Sequence, residues 1–140
     1  MHININYIKM KYIFKLLLLL IFFSCSENSS LKDKLLTKEN EFWIIDDFSE
    51  VGHLYGYKFE SNRYAYYIIS PTNRVYNRYN PNAEGKYYIT KDSIIQYYYP
   101  NCKISVLNDT ILEIIHNKGN IHKFKKIKYV DFKEVKDVMW

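Results

Sequence analysis

The sequence predicts an all-β fold: an antiparallel up-and-down meander of eight or nine strands that closes into a barrel or curls strongly on itself, with a short helical segment at each end. Three observations carry this expectation. From Glu41 onward the chain breaks into runs of β-branched and aromatic residues separated by Asn, Asp, Pro and Gly, the residues that favour turns. The links between the later runs are so short that neighbouring strands are forced to pair antiparallel. Tyr55, Tyr57 and Phe59 recur at period two, which lines one face of a strand. So many strands in one domain are expected to curl, because closure removes the exposed edges that invite aggregation.

The first element is the stretch MKYIFKLLLLLIFFSCSENSS, Met10 to Ser30. Lys11 and Lys15 precede an unbroken apolar run from Leu16 to Phe23, and the small residue Ser24 follows. A helix that crosses a bilayer needs about 20 apolar residues, so this shorter run reads as an export signal that is cut away. A helix apolar on all sides and followed at once by polar residues has no second face with which to sit in a core. The expected organisation is a signal peptide over 1–24, with the start at Met1 or Met10, a tether and short helix over 25–38, and a β domain over 39–140. Leu31, Leu35 and Leu36 behind a Ser29 or Ser30 cap give the helical spacing of the tether.

The strands follow in order. EFWIIDD (Glu41 to Asp47) opens, HLYGYKFE (His53 to Glu60) follows, and YAYYII (Tyr64 to Ile69) returns after the SNR turn. VYNRY (Val75 to Tyr79) is an edge strand or a loop, and NPNAEG is a turn by composition. KYYIT, SIIQYYY, CKISVL, TILEIIH and IHKFKKIKY then form successive hairpins. The last stretch, DFKEVKDVMW, carries Phe132, Val135 and Val138 or Met139 at helical spacing and predicts a final helix.

The residues IFFSC resemble the lipobox of bacterial lipoproteins, in which a small residue precedes an invariant cysteine. The resemblance implies that Cys25 becomes the first mature residue and carries a diacylglycerol on its thiol and, in many bacteria, a third chain on its amine. One chain gives reversible attachment, and two or three hold a protein on a bilayer stably. Ser26, rather than Asp, follows the cysteine, and by resemblance to the sorting rule of Gram-negative bacteria this implies the outer membrane, with the periplasmic or outer face left open. Cleavage removes three of the 20 basic residues and none of the 15 acidic ones, so the net charge falls from +5 to +2. A balance that small points to no polyanionic partner, and export disfavours nucleic acid. With Cys25 acylated, Cys102 has no intramolecular partner. Its alternation with Ile104 and Val106 makes it a buried apolar thiol.

The chemistry-bearing motifs are few. No phosphate-binding loop, HExxH or GxSxG occurs, and four glycines leave little from which to build a phosphate cradle. Asp46 and Asp47 point to opposite faces of a strand, so they do not form an acid and base pair. His116 and His122 lie on the two strands of the last hairpin. If Ile121 pairs with His116 they point to opposite faces, and a slip of one residue puts them together. No third ligand is evident, so no metal or other cofactor is expected. Lys123 to Lys128 form a basic strand, read either as a solvated or edge strand or as a face for lipid headgroups or an acidic partner. Tyrosine is abundant, but Ile, Lys and Asn are abundant too, a joint excess typical of an AT-rich genome.

The layout resembles the small lipocalin-like lipoproteins of bacteria: Trp43 in the first strand, Tyr55 to Phe59 in the second, then Gly85 to Ile89 and Ile104 to Ile114. The resemblance implies a non-catalytic domain that holds a small apolar or glycan ligand, with Trp43, Tyr55, Tyr57, Phe59, Tyr66 and Tyr98 as the expected contacts. The other expectation is a protein-interaction role, as an inhibitor, immunity-type or envelope-assembly partner that uses an aromatic outer face. A large apolar cavity is the mark of the first, and a solid interior with aromatic rings outside is the mark of the second.

Overall fold

The protein is described by a computed structural model over residues 29–50, 52–79 and 84–136. The expected export signal and Cys25 lie outside the described residues, as do Val138 and Met139. Helix α1 (Ser29–Leu35) precedes eleven strands: β1 (Glu41–Glu50), β2 (His53–Glu60), β3 (Arg63–Ser70), β4 (Val75–Arg78), β5 (Glu84–Lys86), β6 (Tyr88–Ile89), β7 (Ile94–Gln96), β8 (Cys102–Leu107), β9 (Ile111–Ile115), β10 (Ile121–Lys128) and β11 (Lys133–Glu134).

Helix α1 forms where the leucine spacing places it, and Leu31 and Leu35 pack into the core. The last carbonyls of a helix have no partner within it, and the sheet supplies donors. Trp43 Nε1 donates to the Leu35 carbonyl at 2.7 Å, and Lys126 Nζ donates to the carbonyls of Lys34 at 2.8 Å and Leu36 at 3.0 Å. The same ammonium lies 4.6 Å from the centre of the Trp43 ring, within cation–π range. These contacts seal one end of the sheet's inner face with the helix.

The strands form one sheet in the order β11-β4-β3-β2-β1-β10-β9-β8-β7-β6, with β5 on β3. The all-β expectation holds, and three finer ones are corrected. Among the described residues there are eleven strands rather than eight or nine. They form two meanders, β1 to β4 and β6 to β10, joined where β1 pairs with β10. The hydrogen-bonded path is open between β6 and β11 and does not close into a barrel. One cause is the free edge of β3, which is shared: β4 pairs with Tyr67 to Ser70 and β5 with Arg63 to Ala65. Strand β6, only two residues long, pairs with β7 alone.

The expected C-terminal helix is also corrected. Lys133 and Glu134 run parallel to Val75 and Tyr76 as β11. The Lys133 and Val135 amides donate to the carbonyls of Arg74 and Tyr76 at 3.1 and 3.0 Å, so the edge of β4 is paired rather than left bare. The doubtful stretch Val75 to Tyr79 is a strand as far as Arg78.

Two clusters fill the two faces. The inner one gathers Leu35, Trp43, Tyr57, Phe59, Tyr64, Tyr87, Ile89, Ile95, Cys102, Ile104, Leu112, Ile114 and Phe124. The rings of Phe59 on β2 and Tyr87 beside β6 stand 5.0 Å apart, so the open sheet still folds its inner face onto itself. The outer cluster is Phe42, Ile44, Ala65, Tyr67, Ile69 and Tyr76, covered by Leu54, Ile127, Tyr129 and Phe132. Strand β1 therefore buries both faces, which explains why Phe42, Trp43 and Ile44 are all apolar. A bulge between Ile104 and Val106 resets the register of β8 and lets Leu107 join the inner cluster.

Candidate functional site

The inner face changes character along the strands. On β2 it reads Phe59, Tyr57 and Tyr55 from the helix-sealed end to the far end, with burial falling in that order. The far end collects Tyr66 from β3, Tyr79 after β4, Tyr97 to Tyr99 after β7, Cys102 from β8, His116 after β9 and His122 from β10. Their rings form a continuous series. Tyr79 meets Tyr66 at 5.2 Å, Tyr66 meets Tyr57 at 4.8 Å, and Tyr57 meets Tyr97 at 5.7 Å. Tyr97 meets Tyr99 at 5.8 Å, Tyr99 meets His116 at 4.6 Å, and the two imidazoles stand 4.0 Å apart. Tyr98 joins the series at Tyr99, 4.9 Å away, and Tyr79 and Tyr98 are 51% and 60% exposed, so the rings run from solvent through the interior and back.

The two histidines meet because of one turn. Gly119 adopts φ +80°, and the loop closes with His116 N donating to the Asn120 carbonyl at 2.9 Å. This is a three-residue loop with glycine in the left-handed region. Ile121 then pairs with Ile115, and His122 with Ile114. The register is slipped by one residue from Ile121 opposite His116, and both imidazoles point inward.

The electrostatics favour neutral groups. Burial pushes the Tyr57 hydroxyl well above the usual phenol range, and Tyr66, Tyr99, Tyr64 and Tyr98 add to the effect. Tyr97 is raised likewise, by burial and then by Tyr57, Cys102, Tyr99 and Tyr64. Tyr57 and Tyr97 therefore stay protonated. Burial also raises the Cys102 thiol, and burial followed by His122 lowers His116. The 3.5 Å contact between Cys102 Sγ and His116 Nδ1 therefore joins a thiol to a neutral imidazole and not a thiolate to an imidazolium. Two atoms here, Tyr97 Oη and His116 Nε2, are buried with no hydrogen-bond partner.

The structure divides the residues singled out from the sequence. Tyr55, Tyr57, Tyr66 and Tyr98 come together at the far end. Trp43 and Phe59 lie towards the helix-sealed end, fully packed, and Trp43 is occupied with Leu35. Tyr97, Tyr99 and the histidine pair belong to the far end as well. Strand alternation sends Tyr97 and Tyr99 to one face and Tyr98 to the other, but β7 ends at Gln96, so alternation stops where the tyrosines begin. Gly119 in the NKGN loop was the available signal for the histidines. Asp46 is exposed and pairs with Lys125 at 3.0 Å. The basic strand is not an edge, since β10 lies between β1 and β9, and Lys126 is turned inward to the helix.

A separate cleft of about 40 Å³ is lined by Lys58, Glu60, Arg63, Tyr64, Ala65, Tyr67, Arg78 and Glu84. Glu84 bridges Arg63 and Arg78 there, and the volume suits a water rather than a ligand. Among the described residues no group of three His, Cys, Asp or Glu side chains is placed to hold a metal ion, and no helix is long and apolar enough to cross a membrane. Comparison of the chain with models of protein families, with curated proteins and with solved structures finds no match.

Proposed function

We propose that this protein is a lipoprotein of the bacterial outer membrane, acylated on Cys25 and akin to the small lipocalin-like lipoproteins. In this reading it binds a small ligand at the tyrosine-lined end of its sheet without chemistry of its own. The observation that carries the reading is the gathering of Tyr55, Tyr57, Tyr66, Tyr97 and Tyr99 at the end opposite α1. Rings with polar tips suit a mouth that is apolar within and wet outside. The protonated thiol and neutral imidazole favour binding over catalysis. The antiparallel meanders β1 to β4 and β6 to β10, which share one sheet, are in keeping with the kinship. Cys25 and Ser29 are four residues apart, a reach of at most about 14 Å. The anchor therefore keeps α1 near the bilayer and turns the tyrosines away from it.

A protein partner in place of a small ligand is the second reading, favoured by the exposure of Tyr79 and Tyr98. Two experiments test these proposals. Growth with an alkyne fatty acid is expected to label the parent and not Cys25→Ala, and equal labelling of both sinks the anchor. A photo-crosslinking residue at position 98 of the anchored protein is expected to capture a small molecule, with the same residue at position 133 as control. Capture of a protein alone transfers the conclusion to the second reading, and capture no greater than at position 133 removes both.

A further inference from the structure

We propose that the Tyr99 ring is a lid over a polar subsite made by Tyr97 Oη and His116 Nε2, and that the ligand which opens it is an uncharged sugar. This rests on the reading of the tyrosine-lined end as a binding site and names the class of its ligand.

The argument starts from the two orphaned atoms. Buried polar groups are nearly always partnered, and an exception calls for a cause. Both atoms belong to residues that flank one ring. Tyr99 stands edge-on to Tyr97 at 5.8 Å, to His116 at 4.6 Å and to His122 at 6.1 Å. It is 38% exposed and lies in the irregular segment between β7 and β8, outside any ladder. The nearby backbone bond, from the Tyr97 amide to the Tyr99 carbonyl, is long at 3.4 Å. Rotation of this ring into solvent opens the space between the residues that carry the two orphans, while Tyr57 and Tyr66 stay in place as aromatic walls.

The chemistry of the subsite selects the occupant. The side chains in ring contact with Tyr99 are Tyr97, Tyr98, His116 and His122. Burial favours a neutral His116 and a protonated Tyr97, so neither orphaned group offers a carboxylate or phosphate a counter-charge. An acyl chain fits the rings but leaves both orphans unpaired, which is the costly outcome. A sugar brings hydroxyls that both donate and accept, next to C–H faces that lie against aromatic rings.

The test uses the full anchored chain in lipid nanodiscs with two neutral probes, maltotriose and tri-N-acetylchitotriose, and decanoate as the apolar comparison. Binding is read by calorimetry and by the side-chain nitrogen resonances of His116. The expected result is binding of at least one sugar with a shift at His116 Nε2. Tyr97→Phe is expected to weaken it at least tenfold and to leave the melting temperature equal or higher, because the variant deletes an orphaned hydroxyl. Tyr99→Ala is expected to raise the association rate. A Tyr97→Phe variant that binds sugar like the parent, or that melts lower, overturns the subsite, the latter because it means that water already satisfies the hydroxyl. An unchanged or slower association rate in Tyr99→Ala overturns the lid. If only decanoate binds, and Tyr66→Ala and Tyr98→Ala abolish it, the sugar class fails while the binding site stands. If no probe disturbs His116 or the Tyr97 to Tyr99 resonances, both fall.

Discussion

Replacing Trp43 by Phe separates a ligand contact from a structural strut. The sequence marks Trp43 as a contact, whereas its Nε1 reaches the Leu35 carbonyl at 2.7 Å and its ring is fully buried. The substitution leaves that carbonyl without its donor in a buried site, at a cost of about 1–3 kcal/mol. Truncating a buried Trp to Ala costs roughly 3–5 kcal/mol. A phenyl ring keeps most of that volume, so the gap adds about 1 kcal/mol. Phe is also a poorer cation–π partner for Lys126. The expected loss is about 2–4 kcal/mol in all, and a slope near 2 kcal/mol per M of urea lowers the midpoint by roughly 1–2 M. Urea titration followed by circular dichroism measures this, with Tyr98→Ala as the exposed control, expected within about 0.5 kcal/mol of the parent. A Trp43→Phe midpoint within about 0.3 M of the parent, or lost ligand binding at unchanged stability, refutes the strut.

Gly56→Ala is expected to cost about 1–3 kcal/mol by overpacking, because a Cβ there meets the Trp43 carbonyl oxygen at 2.8 Å and Ile44 Cδ1 at 2.9 Å; the same urea titration checks it. Stability is expected to fall on mild acidification through His116. Burial lowers its folded pKa below the usual imidazole value, so the unfolded chain takes up the proton more readily. The contribution is full above that value and is lost as pH falls through it towards the folded pKa. Melting temperatures between about pH 5 and pH 7.5 should therefore drop more steeply for the parent than for His116→Gln. Cys102, buried and with its thiol raised, should react slowly with a disulfide reagent in the native protein and quickly in denaturant; equal rates would count against the burial.

The strand text was legible where turn chemistry was strong. The limits of β2 and β8 match the runs read from the sequence, and the Asn108 turn is held by its own side chain, which accepts from the Thr110 and Ile111 amides at 2.9 and 2.8 Å. Closure was not legible, because it depends on how β4 and β5 divide the edge of β3, and neither carries a mark for it. The final helix failed for a related reason. Phe132 and Val135 at a spacing of three satisfy a helical pattern, but an unpaired edge on β4 and an apolar cluster that needed covering decided the matter from a distance. Tyr55, Tyr57 and Tyr66 share one face, as their spacing indicates, because period two holds along β2 and β3. Trp43 and Phe59 lie on the same face but nearer the helix, because strand alternation gives the face of a side chain and not the end of the sheet that a helix will seal.

Genome composition explains how many tyrosines the protein has, but it does not choose between Tyr and Phe at a given position. On the inner face that choice follows depth. Phe59 and Phe124, at 1% and 2% exposure, occupy positions deep in the inner cluster. Tyr87 keeps its hydroxyl by reaching the Ser61 carbonyl at 3.2 Å in the β2–β3 turn. Tyr55, Tyr66, Tyr79, Tyr98 and Tyr99 stand where one end of the ring meets water. Tyr57 and Tyr64 are buried in the same cluster and keep their hydroxyls too, and the partly buried Tyr97 has a hydroxyl that is shut from solvent and has no hydrogen-bond partner. A compositional bias towards tyrosine is a poor account of a hydroxyl left without a partner, and the proposed sugar subsite gives that hydroxyl a use.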